Sequence, residues 1–310
     1  MNNVYIATLP RSGSTLLGMM LNNHPDIFHI GESSYWGKIS PDDVMCSCGQ
    51  IGCSFLHSIN ERLTNKESVD AIYEFCCCID KIEEPDKVYH KLSLPSNKQL
   101  DLSEENLDRL LGLSCEGLGL ITSVFRSVLE RDIIVDNTKN IIIAEKLLGV
   151  GGWKVILLTR DPRGVYVSSK NAGIRKGVSR PVSMKIPVLL NFAQKALGII
   201  DSERVLHVRY EDLCLNPELE LSRICDFLGI IFSSSMISFK DDKGHTLMGN
   251  RMRYDDNTLI SIDESWKTDL TPEEIYAITG CNDLVNFYAS LGYYMKRKEW
   301  NNEIAKGFII

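Results

Sequence analysis

Residues Ala7-Thr8-Leu9-Pro10-Arg11-Ser12-Gly13-Ser14-Thr15 form a turn of mostly small residues between two patterned segments. Before it, Val4, Tyr5, Ile6 and Ala7 make a short apolar run that reads as a strand. After it, Leu16, Leu17, Met19, Met20 and Leu21 recur at i, i+3, i+4 and read as a helix. A helix entered from such a turn aims unpaired backbone N–H groups, and the positive end of its dipole, at an anion. In the nucleoside triphosphate loop, G-x-x-x-x-G-K-[ST], a lysine reaches the outer phosphates and a hydroxyl holds magnesium. Here Ser14 stands where that lysine would be, and Arg11 is the cation inside the loop. These residues suit an anion better than ATP with its metal. The plainer alternative is a strand-to-helix turn capped by Ser12 or Ser14.

Further along the chain, apolar strand-like runs recur at 133–135, 155–158 and 205–208, with a shorter one at 27–30. Helix-like patterns follow at 141–148, 164–170 and 218–228. Strands alternating with helices predict an α/β fold, a P-loop-type parallel sheet flanked by helices. The 310 residues are expected to make a single domain, 1–310, with insertions at about 33–130 and 233–265. Asp101-Leu-Ser-Glu104 opens a long helix to about Leu129, and Thr271-Pro272-Glu273-Glu274 carries the signature of a capping box. Segments 33–60 and 233–265 lack periodicity and read as surface excursions.

A net charge of −7 argues against a nucleic-acid-coating surface, and 44% hydrophobic residues suit a soluble globular chain. No apolar stretch reaches membrane-spanning length. The first strand begins almost at once, leaving no room for a signal peptide, so a cytoplasmic location is expected. Ten cysteines in such a chain are expected to be reduced. Cys46, Cys48, Cys53 and His57 lie within twelve residues and could enclose zinc, but the spacing matches no common zinc template. A reduced loop or one Cys–Cys bridge is expected there, and no metal.

Ligands of open parallel sheets bind beyond the carboxyl ends of the strands. Those ends carry Arg11, the run Asp136-Asn137-Thr138-Lys139, Arg160-Asp161 and Arg209. In Thr159-Arg160-Asp161-Pro162-Arg163, the strand closes on an arginine, Pro162 opens a helix, and Ser168 follows in its second turn. An arginine and a hydroxyl so placed can grip one phosphate from two sides. Structurally, Arg160 could instead pair with Asp161 or Asp136. Lys170, Arg175, Lys176 and Arg180 form a basic run, read as a solvated helix face that could also meet an anionic acceptor.

Pro10-Arg-Ser-Gly-Ser-Thr-Leu-Leu17 resembles the 5′-phosphosulfate loop of sulfotransferases that use 3′-phosphoadenosine 5′-phosphosulfate (PAPS). Arg160-Asp-Pro-Arg-x₄-Ser168 resembles their 3′-phosphate motif, and Gly31-Glu32, Val135–Lys139 and the 245–253 segment add weaker matches. The chain looks most like the bacterial branch related to carbohydrate and protein-tyrosine sulfotransferases. The resemblance implies a sulfotransferase moving a sulfuryl group from PAPS to a hydroxyl of a carbohydrate or small metabolite, without a metal. It implies that Arg11, Ser12, Gly13, Ser14, Thr15 and Leu16 hold the phosphosulfate, and that Arg160, Ser168 and Arg253 hold the 3′-phosphate. Glu32 would be the base and Lys139 the cation on the leaving oxygens, with His245 the second choice of base ahead of His24 and His29. Trp266 is placed against adenine or in the core. The competing readings are a nucleotide kinase or NTPase, which calls for a lysine at Ser14, and a nucleotide-binding protein without turnover.

Overall fold

The computed structural model describes residues 2–83, 101–238, 244–254 and 259–295. Five strands, β1 (Asn2–Thr8), β2 (Ile27–Gly31), β3 (Ile133–Lys139), β4 (Trp153–Thr159) and β5 (Val205–Arg209), form one sheet in the order β2-β3-β1-β4-β5. Every pairing is parallel: Val4 lies opposite Val135 on one side and Lys154 on the other. The expected parallel sheet is therefore present, and β1 is its central strand.

Alternation along the strands divides the interior into two cores. Val4 and Ile6 of β1 face one way, packing with Ile156, Leu158 and Val208 on α1 (Ser14–Asn22), as well as on α8 (Tyr210–Leu215) and α9 (Pro217–Leu228). Tyr5 and Ala7 face the other way, where Val155 and Leu157 join helices drawn from three parts of the chain. Those are α4 (Glu104–Val128), α5 (Ile141–Val150) and α7 (Val182–Ile199). Burial on both faces explains why the strands read as continuous apolar runs. Truncating one such side chain to alanine costs about 2–5 kcal/mol.

The insertion between β2 and β3 is helical, with α2 (Ser54–Leu63) and α3 (Glu67–Glu83) preceding α4. Leu56, Ile59 and Leu63 are fully buried at helical spacing, so the expected irregular segment 33–60 contains the start of a helix. Gly117 of α4 lies so close to α3 that a Cβ there would sit 2.2 Å from the Ser68 carbonyl oxygen. The long helix starts after Ser103, whose Oγ accepts the Asn106 N–H at 3.3 Å. After α6 (Pro162–Ile174) and α7 come α10 (Trp266–Asp269), α11 (Pro272–Thr279) and α12 (Asn282–Ser290), with the Thr271–Glu274 capping box formed as expected. Both expected insertions include stretches outside the described residues, 84–100, 239–243 and 255–258. Among the described residues no helix is long and apolar enough to cross a membrane.

Candidate active site

The turn after β1 opens α1 without any side chain capping it. Neither Ser12 nor Ser14 takes that role; Gly13 is the N-cap, at φ 96°, and a Cβ there would sit 2.5 Å from Cδ2 of Tyr210. Arg11 is also left-handed, at φ 79°, a conformation that costs a non-glycine residue about 1–2 kcal/mol. The strain turns the Arg11 carbonyl toward Arg160, whose Nη1 donates to it at 2.9 Å. Burial, followed by the nearby charges of Arg175 and Arg180, lowers the Arg11 pKa, and Glu32 opposes that shift.

Arg160 is 5% exposed, and its guanidinium lies 4.5 Å from the centre of the Tyr210 ring. Its Nη2 pairs with a carboxylate oxygen of Asp263 at 2.9 Å and donates to the Asp263 carbonyl at 2.8 Å. The ion-pair partner is thus Asp263, and neither Asp161 nor Asp136. Arg160 crosses α6 over Gly164, where a Cβ would meet its Nε at 2.9 Å. Ser168 lies four residues beyond Gly164, on the same helix face one turn further. Asp161 caps α6, accepting the Arg163 N–H at 2.9 Å, and grips the Arg163 side chain at 2.9 and 2.5 Å. Arg163 in turn stacks on Trp266 at 3.8 Å. A cavity of about 260 Å³ opens between Arg160, Arg163, Arg209, Asp263 and Trp266.

At the carboxyl ends of β2 and β3, Glu32 and Lys139 form an ion pair, with side chains 18% and 14% exposed. The carboxylate of Asp136, fully buried, holds these two ends together. It accepts the Thr138 N–H at 2.8 Å and the Ser33 N–H at 3.2 Å. Burial pushes the Asp136 pKa up to about 6, against those hydrogen bonds. Lys139 has φ 79°, so the strand ends in a turn that swings its ammonium onto Glu32. Glu32 also stands at the N-cap of the short turn Ser33–Tyr35, but its side chain caps nothing there.

The histidines separate by environment. His24 is a packing residue: Nδ1 accepts the Asp26 N–H at 3.0 Å and Nε2 contacts the Ile231 carbonyl at 2.8 Å. His29 packs against Gly18, and burial drops its pKa to about 3. His245 contacts Sγ of Cys53 at 3.4 Å and of Cys46 at 3.5 Å, and stacks on Phe55. His57, expected beside those cysteines, points away and pairs with Asp42 at 3.0 Å. Arg253 is 6% exposed and gives its Nη atoms to the carbonyls of Thr246, Leu247 and Met45 at 3.1–3.3 Å. Through those bonds it staples the late loop.

Residues 152–234 match the sulfotransferase family, and that stretch holds β4, Arg160, α6 and β5. Over 96% of its length the chain also aligns with carbohydrate sulfotransferase 1 of Mus musculus, at 23% identity and covering 80% of that protein. The chain is thus similar to sulfotransferases, most directly over that stretch. Its fold is that of the sulfotransferase domain of the Synechococcus PCC 7002 olefin synthase (TM-score 0.53, 18% identity, 96% of each chain covered). The sulfotransferase domain of the curacin biosynthetic pathway is similar too (TM-score 0.50, 19% identity, 94% of this chain and 98% of that one).

Three residues to which the motifs assign no role carry the site's geometry. Asp136 sits inside the quoted 135–139 stretch, but its burial is a product of sheet pairing. Tyr210 sits directly after β5 and supports Gly13 and Arg160 together. Asp263 lies in a patternless loop, where no local signal marks it.

Proposed function

We propose that this protein is a sulfotransferase that takes its sulfuryl group from PAPS and delivers it to a hydroxyl of a carbohydrate or small metabolite, with Glu32 as the base. The observation that carries the reading is Arg160. Its guanidinium joins the uncapped anion-receiving turn to a second anion position, which Asp263 fills. Two separate anion grips fit a donor with a 5′-phosphosulfate and a 3′-phosphate better than they fit a triphosphate. The acidic residue at the end of β4, Asp161, is consumed in capping α6 and holding Arg163, so it is not free to serve a nucleotide's magnesium.

The N–H groups opening α1, with Arg11, hold the 5′ end; Arg160 and Ser168 take the 3′-phosphate in place of Asp263. The donor supplies an activated sulfuryl group on a good leaving phosphate. Glu32 accepts the acceptor's O–H proton as that oxygen bonds to sulfur. Lys139 stabilises the electron pair released onto the bridging oxygen as the old S–O bond breaks. The protein's contribution is mainly positioning and charge, by analogy with phosphoryl transfer. The likeness to a carbohydrate sulfotransferase, and the closeness of Arg175 and Arg180 to Arg11, favour a sugar acceptor that itself carries negative charge.

Calorimetry with adenosine 3′,5′-bisphosphate and with ATP–Mg, followed by transfer from labelled PAPS across a sugar panel, tests the reading. Tight binding of the bisphosphate and label on an acidic sugar are expected. Tight binding of ATP–Mg with indifference to the bisphosphate would overturn it.

A further inference from the structure

Three thiols and an imidazole converge where two distant excursions meet. Cys46, Cys48, Cys53 and His245 bring their Sγ and ring nitrogen atoms to within 4.8 Å of one another. We propose that these four residues bind one structural zinc ion, clasping the 46–53 loop to the 244–254 segment.

The edges of the cluster carry the argument. Tetrahedral zinc with Zn–S of about 2.3 Å and Zn–N of about 2.0–2.1 Å sets S···S edges near ~3.8 Å and S···N edges near ~3.6 Å. The structure has Cys48 and Cys53 Sγ 3.9 Å apart, and His245 Nδ1 at 3.5 and 3.4 Å from Cys46 and Cys53. A disulfide instead needs its sulfurs at about 2.05 Å and would leave one thiol and the imidazole over. Three soft thiolates with one imidazole select zinc among common divalent ions. Four protein ligands close the coordination sphere, so the ion is structural and offers no open position for substrate.

The surroundings are built for it. Cys46 N–H donates to the Gln50 carbonyl and Gly49 N–H to the Cys46 carbonyl, both at 2.9 Å, giving a tight turn around Cys48. Gly49 at φ 90° makes that turn possible. Cys53 stands at the N-cap of α2. Ser47 Oγ donates to the Gly244 carbonyl at 2.8 Å and accepts the Thr246 N–H at 2.9 Å, which brings His245 in register with the thiols. Binding Zn²⁺ displaces three thiol protons and leaves a net charge of −1, close to the Arg253 guanidinium, which holds the Met45 carbonyl. Local spacing pointed to His57; the fold supplies His245, 192 residues beyond Cys53.

The test is the metal content, by mass spectrometry, of the full chain grown with zinc and purified under reducing, chelator-free conditions. About one zinc per chain is expected, retained in His57→Ala and His245→Cys and lost in His245→Ala and Cys53→Ser. The His245→Cys variant keeps the test sound if the loss variants fold poorly, because it changes the ligand and keeps the site. Wild-type chain without zinc after reconstitution, zinc that follows His57 rather than His245, or an intact mass two hydrogens light from a Cys–Cys bridge would each overturn the proposal.

Discussion

Arg160 Nη1 donates to the carbonyl oxygen of Arg11 across 2.9 Å and 149 positions of sequence. That bond joins the ends of β1 and β4 and makes one site of two motifs. The same guanidinium holds the Asp263 carboxylate, so its affinity for a ligand anion is set against an internal competitor.

Replacing Arg160 by alanine is expected to weaken adenosine 3′,5′-bisphosphate binding about 100-fold or more, since charge-assisted bonds contribute about 1.5–3 kcal/mol each. Asp263→Asn should act in the opposite direction and tighten it. Calorimetric titration of the two variants gives both signs.

Glu32→Gln should leave bisphosphate affinity within about twofold while lowering turnover by roughly 10²–10⁴-fold, the usual range for loss of a general base. Lys139→Met should also lower turnover. Unchanged single-turnover rates in Glu32→Gln would remove Glu32 from the reaction.

Gly13→Ala meets two obstacles, a φ of 96° and the Tyr210 ring 2.5 Å from the added methyl. Backbone strain of about 1–2 kcal/mol and overpacking of about 1–3 kcal/mol should together lower the unfolding free energy by several kcal/mol. Combining it with Tyr210→Ala should relieve the overpacking but not the backbone strain. A double-mutant cycle in urea separates the two, and simple additivity would refute the contact.

His29 is buried and stays neutral down to a pKa of about 3, whereas in the unfolded chain it takes a proton near pH 6.5. Below about pH 6.5 the unfolded state therefore binds more protons, and stability falls as pH falls, by up to about 1.4 kcal/mol per pH unit. Asp136 acts in the opposite sense. Its folded pKa of about 6 lies above the ordinary aspartate value of 3.8, so its contribution is lost as pH rises between those values. The difference between wild type and His29→Gln isolates the histidine. The wild type should lose stability relative to the variant from pH 6.5 to 4.5, and parallel melting-temperature curves would contradict this.

What could be read from the sequence follows the range of the forces involved. The turn at 7–15, the helix of Leu16–Leu21, the Ser103 and Thr271 caps and the Arg160–Ser168 spacing are all visible because each depends on neighbours within one or two turns. The start of α2 is harder to read although Leu56, Ile59 and Leu63 mark it, because the cysteines and polar residues before it hide its onset. The carbonyls that Arg253 holds in the late loop are brought to it by packing, which composition cannot locate.

By itself the sequence determined a parallel α/β sheet, a small-residue turn entering a helix after the first strand and an arginine at the end of the fourth. Periodicity and hydrogen-bonded caps are local, and they are written in order along the chain. Only the tertiary structure decided that Arg160 faces Asp263, that Lys139 closes on Glu32 over a buried Asp136, and that His245 joins the three thiols. Those pairs are separated by about a hundred residues or more. They are set by strand order and burial, which place a side chain by where the whole chain packs rather than by the residues beside it.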